Sequence, residues 1–430
     1  MAPSLEDPTV VSSSPRFIVP KHDAHKNIHN KFQYTPGRTP VENHDDYPHN
    51  DFLPTFPDIH WPPLQETPYE DRGLHGDPQF RHLLQDATDV FDYTPKIGTE
   101  VHGINLAKLN DQQKDDLARL VAVRGVVFFR NQEDFDIDAQ RELGRHLGKL
   151  HKHATTAVPR KQGLEDVHVV YTGDNSSDQR ALFTPSFLWH SDVTYEIQPP
   201  SYTSLKLLTG PPRGGGGDTL WASQYAAYDA LSSHMQTYLK GLTALHSADM
   251  QASDSRALGR PVRREPVTTE HPLIRTNPVT GWNSLFFNPG FVTKIVGIPK
   301  TESDAIIRYL TEVVATTQEA HVRFQWGKND VAIWDNRTTV SLHDETMEIP
   351  DLTKTEPFRF VRLCASSTAR CPRCVPCGAP NSRSCREISG GRTHCDIQFA
   401  AGRQGRVAAV ELQRLSVGWG WMILLAGLIV

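Results

Sequence analysis

The first 363 residues contain no cysteine; all six (Cys364, Cys371, Cys374, Cys377, Cys385 and Cys395) fall in one 32-residue stretch near the C-terminus. Disulfides therefore do not staple the main part of the chain, which suits a reducing compartment. Lysine is missing on the other side of that boundary: after Leu363 come eight arginines and no lysine. Met1 to Lys21 has no apolar run of the signal-peptide kind. The final apolar segment, Val417 to Val430, has 14 residues, against the roughly 20 needed to span a bilayer. It is expected to be an aggregation liability rather than a membrane anchor. A formal net charge of −5 with 22% charged residues gives no polybasic surface for nucleic acid. The class left is a cytoplasmic globular enzyme.

What is present falls into three stretches. Residues 1–75 carry many Pro, His, Asn and Asp residues without apolar periodicity and read as an extended arm. Residues 76–363 read as one globular domain, and 364–430 as a tail of different composition. Within the domain, Leu117, Leu120 and Val121 mark one helical face, and Gly125 to Phe129 a buried strand. A helix is predicted over 136–147, a polar loop over 163–185, a strand over 201–208 and a helix over 224–239. Thr301 is predicted to cap a helix with Ile306, Ile307, Leu310, Val313 and Val314 as its apolar stripe. Strands over 321–326 and 330–335, joined by Gly327-Lys328-Asn329, are predicted to form a hairpin. Many short strands with Gly/Pro turns and a few helices suit a jelly roll better than a doubly wound sheet.

The chemistry concentrates in Trp189-His190-Ser191-Asp192. On a strand, residues two apart project to the same face. A histidine and a carboxylate so placed suit Fe(II), whose non-haem sites take two histidines and one carboxylate on one face and leave positions open. The bare tripeptide also occurs on solvated strand edges. The flanking motifs decide between these readings. They run in order as Leu150-His151-Lys152-His153, Trp189 to Thr194, Gly217-Asp218-Thr219-Leu220-Trp221, His271-Pro272-Leu273-Ile274-Arg275-Thr276, Leu285-Phe286-Phe287-Asn288 and Trp334-Asp335-Asn336-Arg337.

From about Tyr93 to Asn336 this ordered set resembles the taurine/2-oxoglutarate dioxygenase family, and most closely its fungal sulfonate dioxygenase branch. The resemblance implies a mainly β fold with helical insertions, a double-stranded β-helix of the jelly-roll, cupin-like type. It implies that Fe(II) is held by His190 and Asp192, and that 2-oxoglutarate is a cosubstrate with O2. Thr219 would bind the distal carboxylate of 2-oxoglutarate, His153 and the Val193 N–H the substrate anion, and Phe286 would form an apolar wall. Considered without the family, each has a plainer reading: Gly217-Asp218-Thr219 as a turn, His153 as a loop histidine, Phe286 as core. The family's taurine contacts are altered at Thr156 and Ser186. The implied reaction hydroxylates the sulfur-bearing carbon of a small anionic sulfonate and releases sulfite, an aldehyde, succinate and CO2. An alkyl sulfate or an aryloxyalkanoate would fit the same scaffold, and a homo-oligomer without nucleic-acid or membrane partners is expected.

The pattern breaks at Ser341, where the family has its second iron-binding histidine. His343, two residues later, shares that face on a regular strand and becomes a ligand if a bulge or register change carries it there. Arg359 and Arg362 stand near the expected places for 2-oxoglutarate and substrate, where a planar fork would pair an anion. They read equally well as surface arginines. The abrupt change after Val340 resembles a retained intron or a shifted reading frame, in which case the chain is a silent or truncated family member. Cys371, Cys374, Cys377, Cys385, His394 and Cys395 in the tail offer donors for zinc, though in no familiar structural spacing.

Overall fold

The computed structural model describes residues 48–172, 189–210, 217–343 and 422–429. Two sheets face one another. The larger has seven strands in the spatial order Asp89–Asp92, Thr99–His102, Val126–Phe129, Val331–Asp335, Tyr202–Thr209, Met422–Ile429 and His168–Thr172. The smaller has Thr219–Ser223 at its centre, flanked by His321–Phe324 and Thr339–His343, and His190 extends its edge as a bridge to Ser341. Both are antiparallel except where Thr99–His102 runs parallel to Val126–Phe129. This is the jelly-roll arrangement, in which inner faces of two sheets interdigitate.

Aromatic side chains fill the space between the sheets. Trp221 and Phe324 from the small sheet meet Phe128 and Trp334 from the large one, all at most 4% exposed. Phe128 stacks on Phe324 with centroids 4.2 Å apart, and Trp221 makes edge contacts with Phe128 at 5.3 Å and Trp334 at 5.6 Å. Such pairs add about 0.5–1.5 kcal/mol each beyond the area they bury. The central strands Val126–Phe129 and Val331–Asp335 are buried along their whole length. That explains why they read as continuous apolar runs rather than alternating ones.

The helix Asp111–Arg124 backs the large sheet. Asn110 and Gln113 form a reciprocal capping box at its start, satisfying two otherwise orphaned N–H groups. Leu117, Leu120 and Val121 pack with Val127 and Phe129. Gly125 ends the helix at φ +75°, and a Cβ there would lie 3.0 Å from the Thr339 methyl. Both the backbone and the close approach favour glycine.

Several local expectations are corrected. Residues 224–239 are two helices, Gln224–Asp229 and Ser233–Lys240, because Ser232 accepts from the Met235 N–H and starts a new helix. Thr301 caps nothing: the helix is Lys300–Thr316, with Pro299 at its N-cap and no side-chain cap. Its stripe buries Ile307, Leu310 and Val314. The predicted hairpin is a corner. His321–Phe324 pairs with Thr219–Ser223 in one sheet, whereas Val331–Asp335 pairs with Val126–Phe129 and Tyr202–Thr209 in the other. Part of the predicted loop 163–185 is the strand His168–Thr172, and Met422–Ile429 inserts between it and Tyr202–Thr209. The apolar end of the chain therefore completes a sheet.

Part of the expected arm, from 53 to 56, packs on the domain. Leu53 and Phe56 are buried, and Pro54–Thr55 pairs with Val158–Pro159. Trp61 is surrounded by the cationic groups of Lys152, Arg263 and Arg264 at 5.0–5.8 Å from its ring. No helix among the described residues is long and apolar enough to cross a membrane.

Candidate active site

His190 is fixed at the edge of the small sheet by two backbone bonds to Ser341: its N–H donates to the Ser341 carbonyl at 3.0 Å, and the Ser341 N–H returns a bond of 2.7 Å. The chain then leaves the strand in a turn through Asp192. His190 Nε2 and Asp192 Oδ1 lie 4.0 Å apart, with side chains 34% and 21% exposed, so both reach a space a ligand can enter. The other carboxylate oxygen, Oδ2, accepts from the Thr203 hydroxyl at 3.0 Å.

The turn is held from several sides. Asn336 accepts from the Asp192 N–H at 2.7 Å and donates to the Asp192 carbonyl at 2.9 Å and the Pro200 carbonyl at 3.3 Å. Ser191 Oγ donates to the Thr339 carbonyl at 2.6 Å, and Asn288 Nδ2 donates to the Ser191 carbonyl at 2.8 Å. Asn336 is in turn placed by its neighbours: Asp335 binds Arg337 through two carboxylate oxygens, and Arg337 reaches Asp71 at 2.6 Å. Val193 follows with φ +43°, a sparsely populated conformation for a β-branched residue. Such strain persists where surrounding structure over-determines it, and clusters at ligand sites.

Thr219 is fully buried and its Oγ1 accepts the indole N–H of Trp326 at 2.9 Å. Its backbone lies between Phe324 and His343 in register, while Trp221 lies between Val322 and Ser341. Directly paired residues of antiparallel strands share a face, so the positions 190, 341, 221, 343 and 219 all belong to one side of the small sheet.

His153 is buried, and its Nδ1 accepts from the N–H groups of Thr155 at 3.2 Å and Thr156 at 3.3 Å. Its proton therefore resides on Nε2, the donor nitrogen of a neutral ring. Burial, reinforced by His168, His151, Arg263 and Arg264, holds its pKa well below the ordinary histidine value. Its loop is braced by Arg264, which donates to the Lys152 carbonyl and to Glu196, and by His151, also bonded to Glu196 at 2.9 Å. Phe286 is buried among His246, His271 and Arg275, stacked on His246 at 5.4 Å. His246 Nδ1 is bonded to Thr194 Oγ1 at 2.9 Å, which brings Phe286 beside the turn that carries Val193.

Ser341 stands at the third metal position. The strand Thr339–His343 pairs with Thr219–Ser223 without a bulge, which leaves Ser341 opposite Trp221 and His343 opposite Thr219. The register shift that would carry His343 to position 341 is absent. Among the described residues no group of three or more His, Cys, Asp or Glu side chains is arranged to hold a metal. The nitrogen and oxygen donors of His190 and Asp192 suit Fe(II), and a serine occupies the position across from His190. Arg359, Arg362, Ser186 and the cysteine-rich zinc candidates lie outside the described residues. The roles of Thr203, Trp326, Asn288 and Asn336 were not read from the sequence, although Asn288 and Asn336 lie inside its ordered motifs.

Residues 89–349 match the family described as "Taurine catabolism dioxygenase TauD, TfdA family". A Saccharomyces cerevisiae protein named alpha-ketoglutarate-dependent sulfonate dioxygenase is 40% identical over 297 residues, 67% of this chain and 71% of that protein. A Schizosaccharomyces pombe protein given the same name provisionally is 45% identical over 296 residues, 69% of this chain and 75% of that one. A crystal structure of a provisionally assigned alpha-ketoglutarate-dependent taurine dioxygenase from Burkholderia xenovorans superposes with a TM-score of 0.50 at 31% identity, covering 60% of this chain and 86% of the other. The chain belongs to the TauD/TfdA family of 2-oxoglutarate-dependent dioxygenases.

Proposed function

We propose that this dioxygenase uses Fe(II) and O2 with 2-oxoglutarate to hydroxylate a small sulfonate at the carbon bearing sulfur. The observation that carries the reading is the 4.0 Å His190–Asp192 pair, held by Thr203 and Asn336 inside the fold of a family with sulfonate-oxidising relatives. Overall, sulfonate, 2-oxoglutarate and O2 become aldehyde, sulfite, succinate and CO2. Bound iron would supply the oxidising chemistry. His190 and Asp192 would hold it from one side, and Thr203 would orient the carboxylate so that Oδ1 faces the metal.

The remaining residues bind and position. Thr219, its oxygen already accepting from Trp326, would offer its proton to the distal carboxylate of 2-oxoglutarate, with Arg359 as counter-charge. His153 Nε2–H and the Val193 N–H would donate to sulfonate oxygens, Arg362 would neutralise the anion, and Phe286 would exclude water beside it. A neutral donor imidazole keeps its geometry without trapping the sulfite product in an ion pair. We assign the catalytic domain to residues 76–363, with Met422–Ile429 adding a strand to its large sheet, and the altered composition between them to a separate segment.

Ser341 favours a second reading, a member that binds cosubstrate without turnover. One experiment separates the two: anaerobic titration of the protein with Fe(II) and 2-oxoglutarate, followed by the visible charge-transfer absorption of the chelate. A saturable band at one iron per chain, followed by sulfite release from a sulfonate panel, supports the enzyme. A band without sulfite release leaves the silent member, and no band from folded protein overturns both readings.

A further inference from the structure

The segment that carries His190 and Asp192 continues into Ile197, Gln198 and Ser201, which line a separate cavity of about 500 Å3. His190, Asp192 and Thr219 are not among its walls. Its size falls within the roughly 300–1,000 Å3 of small-molecule sites. The floor includes Arg275, His271, Asn277 and Ser284, and of these His271, Asn277 and Ser284 are buried.

Most polar groups of the floor are satisfied within the protein. His271 Nε2 is bonded to the Glu196 carbonyl at 3.0 Å, Asn277 donates to Asp335 at 2.9 Å, and Arg337, also in the wall, is paired with Asp71 and Asp335. Arg275 is the cationic exception. It lies on the short strand Ile274–Thr276 directly opposite Ser284, its guanidinium 4.6 Å over the Phe286 ring. Its Nη1 is buried with no hydrogen-bond partner, and it forms no ion pair among the described residues. Burial and the nearby Arg337 charge both push its pKa below the usual arginine value. A cation packed on an aromatic face without a counter-ion is costly, and the cavity beside it is where an anion fits.

We propose that this cavity is a binding site for a small organic monoanion, a carboxylate or sulfonate, gripped by the Arg275 guanidinium. The planar fork matches two oxygens of such a group. Glu66 and Glu70, exposed on the wall, disfavour dianions by like-charge repulsion. The site is also wired to the turn proposed to contact substrate, since Arg275 rests on Phe286, Phe286 on His246, and His246 on Thr194.

The test is calorimetric titration of metal-free full-length protein in EDTA with propionate, 1-propanesulfonate and inorganic sulfate. Wild type and His190→Ala are expected to bind one monoanion per chain with equal affinity and sulfate at least tenfold more weakly. Arg275→Gln should lose at least tenfold in affinity. Thr276→Trp, on an exposed strand position in the same wall, should block the cavity while Arg275 stays in place, and decides the matter if Arg275→Gln does not fold. The proposal is overturned by no saturable binding to wild type, by undiminished binding in folded Arg275→Gln or Thr276→Trp, or by loss in His190→Ala, which would move the anion to the metal pair. A preference between propionate and propanesulfonate identifies which of the two anions the fork selects.

Discussion

Ser341 is the direct cross-strand partner of His190, joined to it by reciprocal backbone hydrogen bonds of 3.0 and 2.7 Å. Side chains so paired have Cβ atoms about 4.5–5.5 Å apart on one face, a separation at which two imidazoles can share a metal. Position 343 pairs instead with Thr219, and diagonal neighbours in a sheet are farther, about 7–8 Å. Ser341→His is therefore expected to tighten Fe(II) binding by at least about tenfold, since loss of even an outer partner of a metal ligand costs that much. The anaerobic charge-transfer titration checks it. If His343 already serves as ligand, His343→Ala abolishes the wild-type band and Ser341→His adds nothing.

Thr203 has a defined task beside the metal pair. Its hydroxyl holds Asp192 Oδ2 at 3.0 Å and so orients the carboxylate. Thr203→Val keeps the shape of this buried strand residue and removes the bond. Fe(II) affinity should fall by about 10–100-fold, with a melting temperature within a few degrees of wild type, measured by metal competition and thermal denaturation. Unchanged affinity would show that Asp192 is oriented without it.

The sequence carried the ordered motifs, and with them the family; it placed His190 and Asp192 on one strand, whereas Asp192 lies in the turn that follows His190, and the turn brings the two side chains to 4.0 Å. It also carried the turn at Gly327-Lys328-Asn329, where Asn329 adopts φ +62°. What it did not carry was the destination of the strands after that turn. A tight turn looks the same whether its flanks pair with each other or part into facing sheets, and only the aromatic layer of Phe128, Trp221, Phe324 and Trp334 decides that. Thr203 and Trp326 were illegible for a related reason: each acts on a residue brought near by the fold, Trp326 across 107 positions to Thr219.

That Trp326 contact leads to a prediction of its own. An indole N–H only donates, so Thr219 Oγ1 is held as acceptor on that side and its proton is directed elsewhere. Trp326→Phe preserves the aromatic contacts with Phe324 and Trp221 while removing the bond, at a cost of about 1 kcal/mol. The Kd for 2-oxoglutarate should rise about fivefold with the fold intact. Calorimetry in the presence of a redox-inert divalent metal reads this without turnover. An unchanged Kd would separate Trp326 from cosubstrate binding and leave it a packing role.

His153 makes stability depend on pH in a calculable direction. Its pKa in the folded protein lies well below 6.5, from burial first and then from His168, His151, Arg263 and Arg264; in the unfolded chain it returns to about 6.5. Between those two values the unfolded chain binds the extra proton, so stability rises with pH there. The contribution is fully present above pH 6.5 and is lost as pH falls below it, at up to about 1.4 kcal/mol per pH unit for one proton. His153→Gln removes this titration. Urea denaturation from pH 7.5 down to 5 should therefore give a shallower loss of stability in the variant than in wild type, by as much as one proton equivalent. Parallel curves would mean that His153 takes up its proton alike in the folded and unfolded protein, so that burial does not hold the ring neutral.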